Sequence, residues 1–177
     1  KPAVILNFNT GQEKVTRFMH LLNTREYLQM RREAFLNDDA PPDPDVDYDI
    51  LTWDTTRNTD WQRELFGGTA RLNNIEASVS GGNNNSMFVL GGGFNRETSV
   101  FPGSFADQKI SGHFALKHSS DNHRFKINFS GSYVSEINSM PALDKTSQAF
   151  TLPPDAPVIY DSAGKLNWAG GTFNNPF

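Results

Sequence analysis

Hydrophobic and polar residues alternate within four segments of the chain between Thr69 and Met140. The clearest segment begins at Arg124, and one of its faces carries Phe125, Ile127, Phe129, Gly131 and Tyr133. The segment before it repeats the pattern with Ile110, Gly112, Phe114 and Leu116. Successive side chains of a β-strand point to opposite faces, so each segment is predicted to be a strand with one apolar and one polar face.

The four predicted strands form a meander over residues 69–138, with strands at 69–80, 86–99, 105–119 and 124–138. Residues 1–10 are predicted to form an earlier strand, because Val4, Leu6 and Phe8 share one face. We therefore expect a mainly β fold of antiparallel up-and-down strands. The meander strands are predicted to be roughly 12 to 15 residues long, whereas strands of soluble sheets average about 5 or 6 and a bilayer-crossing strand needs about 9 to 11.

Two long connections flank the meander. Residues 11–68 are predicted to be a long loop with a short helix near residues 24–36, and residues 139–177 are predicted to be a second loop. Asn23 is placed to cap the helix, and Glu26 completes a capping-box pattern. Short turns on one side of a sheet and long loops on the other are typical of outer-membrane barrels, so both connections are predicted to be outer loops.

Composition narrows the classes of protein that fit this pattern. Hydrophobic residues make up 37% of the chain, the mean hydropathy is −0.53, and no long apolar run occurs, which excludes a transmembrane helix. Alternating barrel strands are compatible with these values. The absence of cysteine excludes disulfides and thiolate metal sites. The net charge of −4, without a basic cluster beyond Arg31 and Arg32, argues against a nucleic-acid partner.

Several segments resemble the SusC/RagA family of TonB-linked outer-membrane transporters. The longest are Asn23–Phe35 and Trp53–Gln62, which is followed by Glu64-Leu65 and Gly67–Ala70. Further similarity lies in Ser78–Asn83, Arg96–Gly103, Leu152–Pro157 and Asn175-Pro176. These segments are distributed over nearly the whole chain.

The resemblance implies a fold, a function and partners. The parent protein is expected to be a 22-stranded transmembrane β-barrel in the outer membrane of a Gram-negative bacterium, plugged by an N-terminal domain. It would import glycans or peptides with a SusD-like surface lipoprotein, powered by the TonB complex through N-terminal parts that this chain lacks. The chain begins at Lys1 without methionine, so we interpret it as a fragment from the first part of the barrel, just after the plug.

The sequence contains no motif for catalysis or cofactor binding, so neither an enzyme nor a cofactor is predicted. The four histidines lack the spacing of a helical zinc site, and no nucleophile elbow occurs. Residues 38–49 hold six aspartates and three prolines, which fits a solvated loop or a calcium loop, although the EF-hand spacing is not met. Trp53 and Trp61 have two interpretations: packing within the first loop, or substrate binding by stacking on sugar rings.

A soluble β-sandwich that binds carbohydrate through Trp53, Trp61 and Trp168 is the alternative. The sandwich predicts that the apolar stripe from Phe125 to Tyr133 packs against a second sheet of the same chain. The barrel wall, in contact with outer-membrane lipid, predicts that this stripe is exposed.

Overall fold

The structure is a computed structural model and describes residues 2–177. Its strands are β1 Ala3–Lys14, β2 Thr69–Gly82, β3 Ser86–Thr98, β4 Ala106–Ser119 and β5 Lys126–Asn138. Its α-helices are α1 Thr24–Asn37, α2 Tyr48–Leu51, α3 Trp61–Phe66 and α4 Thr146–Thr151, and a short 3-10 turn covers Ala169–Gly171.

The described residues form two compact units. The first, the sheet unit, comprises residues 2–14 and Gly68–Ala142. The second, the loop unit, comprises Val15–Gly67 and Leu143–Phe177. The two long connections that the sequence predicts as separate loops therefore belong to one compact unit.

The sheet unit is a single antiparallel sheet with the strand order β1-β2-β3-β4-β5. The expectation of a mainly β fold with antiparallel up-and-down strands is confirmed. Of the predicted strand at residues 1–10, Lys1 lies outside the described residues. Strand β1 continues past residue 10 to Lys14, because residues 10–14 pair with residues 69–73 at the start of β2. The backbone hydrogen bonds between strands do not depend on apolar side chains. The alternation of hydrophobic and polar residues therefore ends before the strand does.

The register places the predicted apolar stripes on one face. Leu116 is opposite Phe129, Phe114 is opposite Gly131, and Gly112 is opposite Tyr133. Directly opposed residues share a face of the sheet. The Phe114 ring lies across Gly131, where a Cβ would be only 2.7 Å from a ring carbon, and its centroid is 5.2 Å from that of Phe129. The glycine thus makes room for the aromatic pair.

This apolar face is exposed. Leu90, Phe129 and Tyr133 are 56%, 63% and 68% exposed. Among the described residues of the sheet unit, the only buried hydrophobic side chains are Ala70 and Ala106. The described residues contain one sheet, so the second sheet that a β-sandwich requires is not formed within them.

The connections of the sheet unit differ at its two ends. The short turns after β2 and β4 lie at one end; the long connection between β1 and β2 begins and ends at the other end, and the second long connection leaves β5 there. The two short turns are joined, because the Ser119 N–H donates to the Asn85 carbonyl over 2.8 Å and the Asn85 amide donates to the Asp121 carboxylate. The seven-residue connection between β3 and β4 lies at the same end as the long connections, so short connections are not confined to one end of the sheet.

Helix α1 begins as the sequence predicts. The Asn23 side chain accepts from the Glu26 N–H at 3.0 Å, and the Glu26 carboxylate accepts from the Asn23 N–H at 3.0 Å. Two N–H groups that the helix itself leaves without partners are thereby satisfied. Asp60 caps α3 in a similar way, by accepting from the Arg63 N–H. Helices α2 and α4 were not predicted, since four to six residues give too short a pattern.

The core of the loop unit combines residues from both long connections. Leu65, Phe173 and Ala156 are at most 2% exposed. The Phe66 ring packs against Phe18 and Phe150, at centroid distances of 5.9 and 6.1 Å. Unlike the sheet unit, the loop unit therefore has an apolar core of its own.

Replacing Asn23 with alanine is expected to lower the free energy of unfolding of the loop unit by about 1 kcal/mol, because the cap accepts the Glu26 N–H. Denaturant unfolding followed by tryptophan fluorescence measures this change. The control is Asn37→Ala at the exposed far end of α1, which should have little effect. Equal losses for both variants would contradict a specific role of the cap.

Candidate functional site

The polar face of the sheet carries a shallow depression of about 320 Å³. Gly91 and Gly93 lie on this face in the middle strand, and no side chain rises from their backbone. The His113 imidazole leans over Gly91, so that an added Cβ would lie 2.6 Å from a ring carbon. Polar groups surround the depression and are contributed by Asn7, Glu76, Ser78, Ser111 and His113. The face is thus polar but recessed, which allows the surface of a partner to approach the backbone closely.

The loop unit contains a cleft of about 480 Å³. Three segments line it: the stretch that leads into α1, the start of α3 and the end of α4. The buried Gln62 side chain fixes the first segment, since its carbonyl accepts from the Met19 N–H at 2.9 Å and its amide donates to the Met19 carbonyl at 2.8 Å. The lining mixes apolar and hydrogen-bonding side chains, among them Leu22, Tyr27, Met30, Asn58, Trp61 and Phe150.

Trp61 and Trp53, the predicted substrate-binding residues, both pack against one buried ring. The centroid of the Phe173 ring is 6.3 Å from Trp61 and 6.1 Å from Trp53. Trp61 is only 3% exposed and donates its indole N–H to the Pro153 carbonyl at 2.7 Å. Trp53 is half-buried and donates to the Thr172 hydroxyl at 3.0 Å. Their packing partners come from the second long connection, and stacking on a sugar ring stays a prediction for both residues.

Arg31 connects α1 to the aspartate-rich loop. Its guanidinium donates to Asp47 at 2.5 Å and to Asp49 at 2.8 Å. The Tyr27 hydroxyl also donates to Asp49, at 2.8 Å. In the sequence of α1 an apolar stripe of Tyr27, Met30, Ala34 and Phe35 is interrupted by Arg31. This interruption predicts that Arg31 pairs with the aspartate-rich loop, and the two ion pairs confirm the prediction.

The pKa values of this cluster follow from its contacts. Hydrogen bonding to Asp49 is the main cause of the raised pKa of Arg31. Burial, followed by the hydrogen bond to Asp49, raises the pKa of Tyr27. The pKa of Asp47 is lowered, chiefly by the hydrogen bond from the Asp43 N–H and further by Arg31. At neutral pH the cluster therefore holds a cationic arginine, an anionic Asp47 and a neutral tyrosine.

No group of three or more His, Cys, Asp or Glu side chains is arranged to hold a metal ion anywhere in residues 2–177. Two histidines lie near the short turns, with His118 Nδ1 2.8 Å from the Ser86 hydroxyl and His123 Nδ1 3.3 Å from the Ser119 hydroxyl. Because each histidine meets a single hydroxyl, these contacts are interpreted as local hydrogen bonds.

Among residues 2–177, none of the helices combines the length and the apolar character needed to cross a membrane.

Two features of the loop unit were missed by the sequence reasoning. Lys145 is buried, donates to the Pro176 carbonyl at 2.8 Å and lies 3.2 Å from the centroid of the Phe177 ring. Asp155 is fully buried, although Pro154 directly precedes it and Pro157 follows two residues later. A charged residue beside prolines is typical of an exposed turn, and no signal in one sequence distinguishes the two cases.

Replacing Arg31 with leucine is expected to lower the free energy of unfolding of the loop unit by about 3 kcal/mol, because the buried Asp49 would lose its counter-charge. Arg32→Leu, on the exposed side of the same helix, is the control and should change stability little. After the Asp43 N–H, Arg31 is a further cause of the lowered pKa of Asp47, so the part of the stabilisation that this ion pair supplies is lost as the pH falls. The difference between wild type and variant should therefore shrink below about pH 4. A constant difference from pH 7 to pH 3, measured by denaturant unfolding, would contradict this account.

Neither the scan against protein-family models nor the search of curated proteins found a match. The function is therefore inferred from the two faces of the sheet, from the loop unit and from the sequence resemblance.

Proposed function

We propose that this chain is a segment of a TonB-dependent outer-membrane transporter that imports glycans or peptides together with a SusD-like surface lipoprotein. In this proposal the sheet unit is part of the wall of a 22-stranded transmembrane β-barrel. The observation that carries the proposal is the exposed apolar face of the antiparallel sheet. An apolar face of this extent requires an apolar phase to cover it, and lipid is such a phase.

The lengths of the strands support the proposal. The five strands contain 12 to 14 residues each. A strand needs about 9 to 11 residues to cross the hydrocarbon core at the usual tilt, so these strands are long enough to cross it and project beyond it. Soluble sheets use strands of about half this length.

The edges of the sheet also fit a piece of a wall. Among residues 2–177, strands β1 and β5 each have only one neighbour. Unpaired backbone groups are costly in lipid, and closure into a barrel removes every edge. The outer edges of β1 and β5 would therefore pair with further strands of the parent barrel. The polar face of the sheet unit, which carries the depression beside Gly91 and Gly93, would face the lumen and the plug.

The loop unit supports the proposal through the segments that resemble the transporter family. In the fold, three of these segments contact one another. The Thr24 N–H donates to the Asn58 side chain at 2.9 Å, and the Thr59 N–H donates to the Pro154 carbonyl at 2.7 Å. We infer that the loop unit forms outer loops that contact the lipoprotein or the cargo, with Trp53 as the more accessible of the two tryptophans. Energy would reach the transporter from the TonB complex through the N-terminal parts.

Cysteine scanning tests the orientation of the wall, since this segment contains no native cysteine and any cysteine elsewhere in the parent protein would be replaced first. Leu90→Cys and Val89→Cys are adjacent in the central strand and lie on opposite faces. With a spin label attached in the full-length protein in lipid vesicles, position 90 should be accessible to oxygen dissolved in the lipid. The spin label at position 89 should instead be accessible to a water-soluble nickel reagent. The same accessibility at both positions would refute the wall proposal.

A charge on the lipid face should be costly. Leu90→Lys is expected to lower the stability of the full-length protein in lipid by about 2–4 kcal/mol if the site is near the bilayer midplane. Val89→Lys is the matched control, because the same change on the polar face puts the ammonium in water. Urea-dependent unfolding from lipid vesicles measures both. An equal loss for the two variants would indicate a sheet with no lipid-facing side.

A further inference from the structure

Asp155 is a carboxylate without a partner in the interior of the loop unit. Its exposure is 0%, and neither of its carboxylate oxygens has a hydrogen-bond partner within the described residues. Burying an ionised carboxylate without compensation is so unfavourable that such groups take up a proton instead. The environment of Asp155 therefore favours the neutral acid.

The titratable groups whose charge interacts with Asp155 are those of Asp49 and Tyr27. Arg31 is paired with Asp47 and Asp49 on α2, and the Tyr27 hydroxyl on α1 donates to Asp49. Two further cations of the loop unit are engaged as well: Arg63 of α3 pairs with Asp60 at 3.1 Å, and Lys145 donates to the Pro176 carbonyl. The charge of Asp49 itself acts on Asp155 and disfavours a second anion.

The loop around Asp155, Leu152–Pro157, is held by its backbone. The Pro153 carbonyl accepts from the Trp61 indole and from the Ala156 N–H, and the Pro154 carbonyl accepts from the Thr59 N–H. These bonds connect the loop to the start of α3. Any force that expels Asp155 from the interior would therefore act on the bonds to Thr59 and Trp61.

We propose that Asp155 is a proton-binding site that acts as a latch: while its carboxyl group is neutral, the loop Leu152–Pro157 stays bonded to Thr59 and Trp61, and loss of the proton releases the loop from them. The latch needs only the loop unit, so it is independent of whether the sheet crosses a membrane.

The pKa of Asp155 gives the pH range of this latch. Burial, and further the charge of Asp49, raises the pKa of Asp155 from the ordinary 3.8 to about 6. The closed loop binds a proton more tightly than the open loop, so closure is favoured at low pH. This stabilisation is lost as the pH rises from about 4 to about 6, and above that range the latch is open more often.

Hydrogen exchange of the full-length protein in detergent tests the latch. The reporters are the Thr59 and Ala156 amides, read by mass spectrometry and corrected for the pH dependence of intrinsic exchange. Their protection should fall about tenfold between pH 5 and pH 7.5, which is the change that a pKa shifting from about 6 to 3.8 on opening produces. Asp155→Asn, which keeps the shape and removes the titration, should show constant protection over this range.

Asp45→Asn is the matched control, because Asp45 is an exposed aspartate of the same unit. This variant should retain the tenfold fall. The proposal is overturned if the wild-type protection does not change with pH, or if Asp155→Asn retains the fall. If Asp155→Asn fails to fold, Asp155→Ser takes its place. The pH dependence of amide protection in that variant and in the wild type is then judged by the same criteria.

Discussion

The alternation of side chains across a hydrogen-bonded antiparallel ladder is the constraint on which the rest of the sheet unit depends. Directly paired residues share a face of the sheet. The register of the strand pairs therefore determines which face each side chain of the five strands points to. A slip of one residue in a single strand would move its apolar residues to the polar face. The close fit of Phe114 over Gly131 adds a steric contribution to the register between β4 and β5. The exposed apolar face is the direct product of this register.

The loop unit is stabilised by a different kind of interaction. Its core connects residues that are far apart in the chain, as Trp61 does with Pro153 and Phe173. Buried groups of this kind are specific, because each one needs a particular partner at a particular distance. The loop unit therefore has a defined interior, and one acidic group within it, Asp155, is left without a counter-charge.

The sequence predicted features that depend on residues close together in the chain, and it missed features that depend on residues far apart. The alternating strands and the cap at Asn23 depend on neighbours two or three residues away, and both were predicted correctly. The end of β1 at Lys14 and the contacts of Lys145 depend on distant partners, and neither was predicted. Of the candidate site, the pairing of Arg31 with the aspartate-rich loop was predicted from charge and position. The partners of Trp53 and Trp61 were not, since the second long connection that supplies them gives no local signal.

The unequal connections between strands have a consequence for assembly. Strands β2 and β3, and likewise β4 and β5, are joined by short turns and can pair through contacts that are close in the chain. Strand β1 pairs with β2 only after the long segment between Lys14 and Thr69 has been closed, and loop closure costs more entropy for a longer segment. We therefore expect β1 to join the sheet last. Until it does, the edge of β2 is open to pairing with other chains, which makes this step the most vulnerable to aggregation.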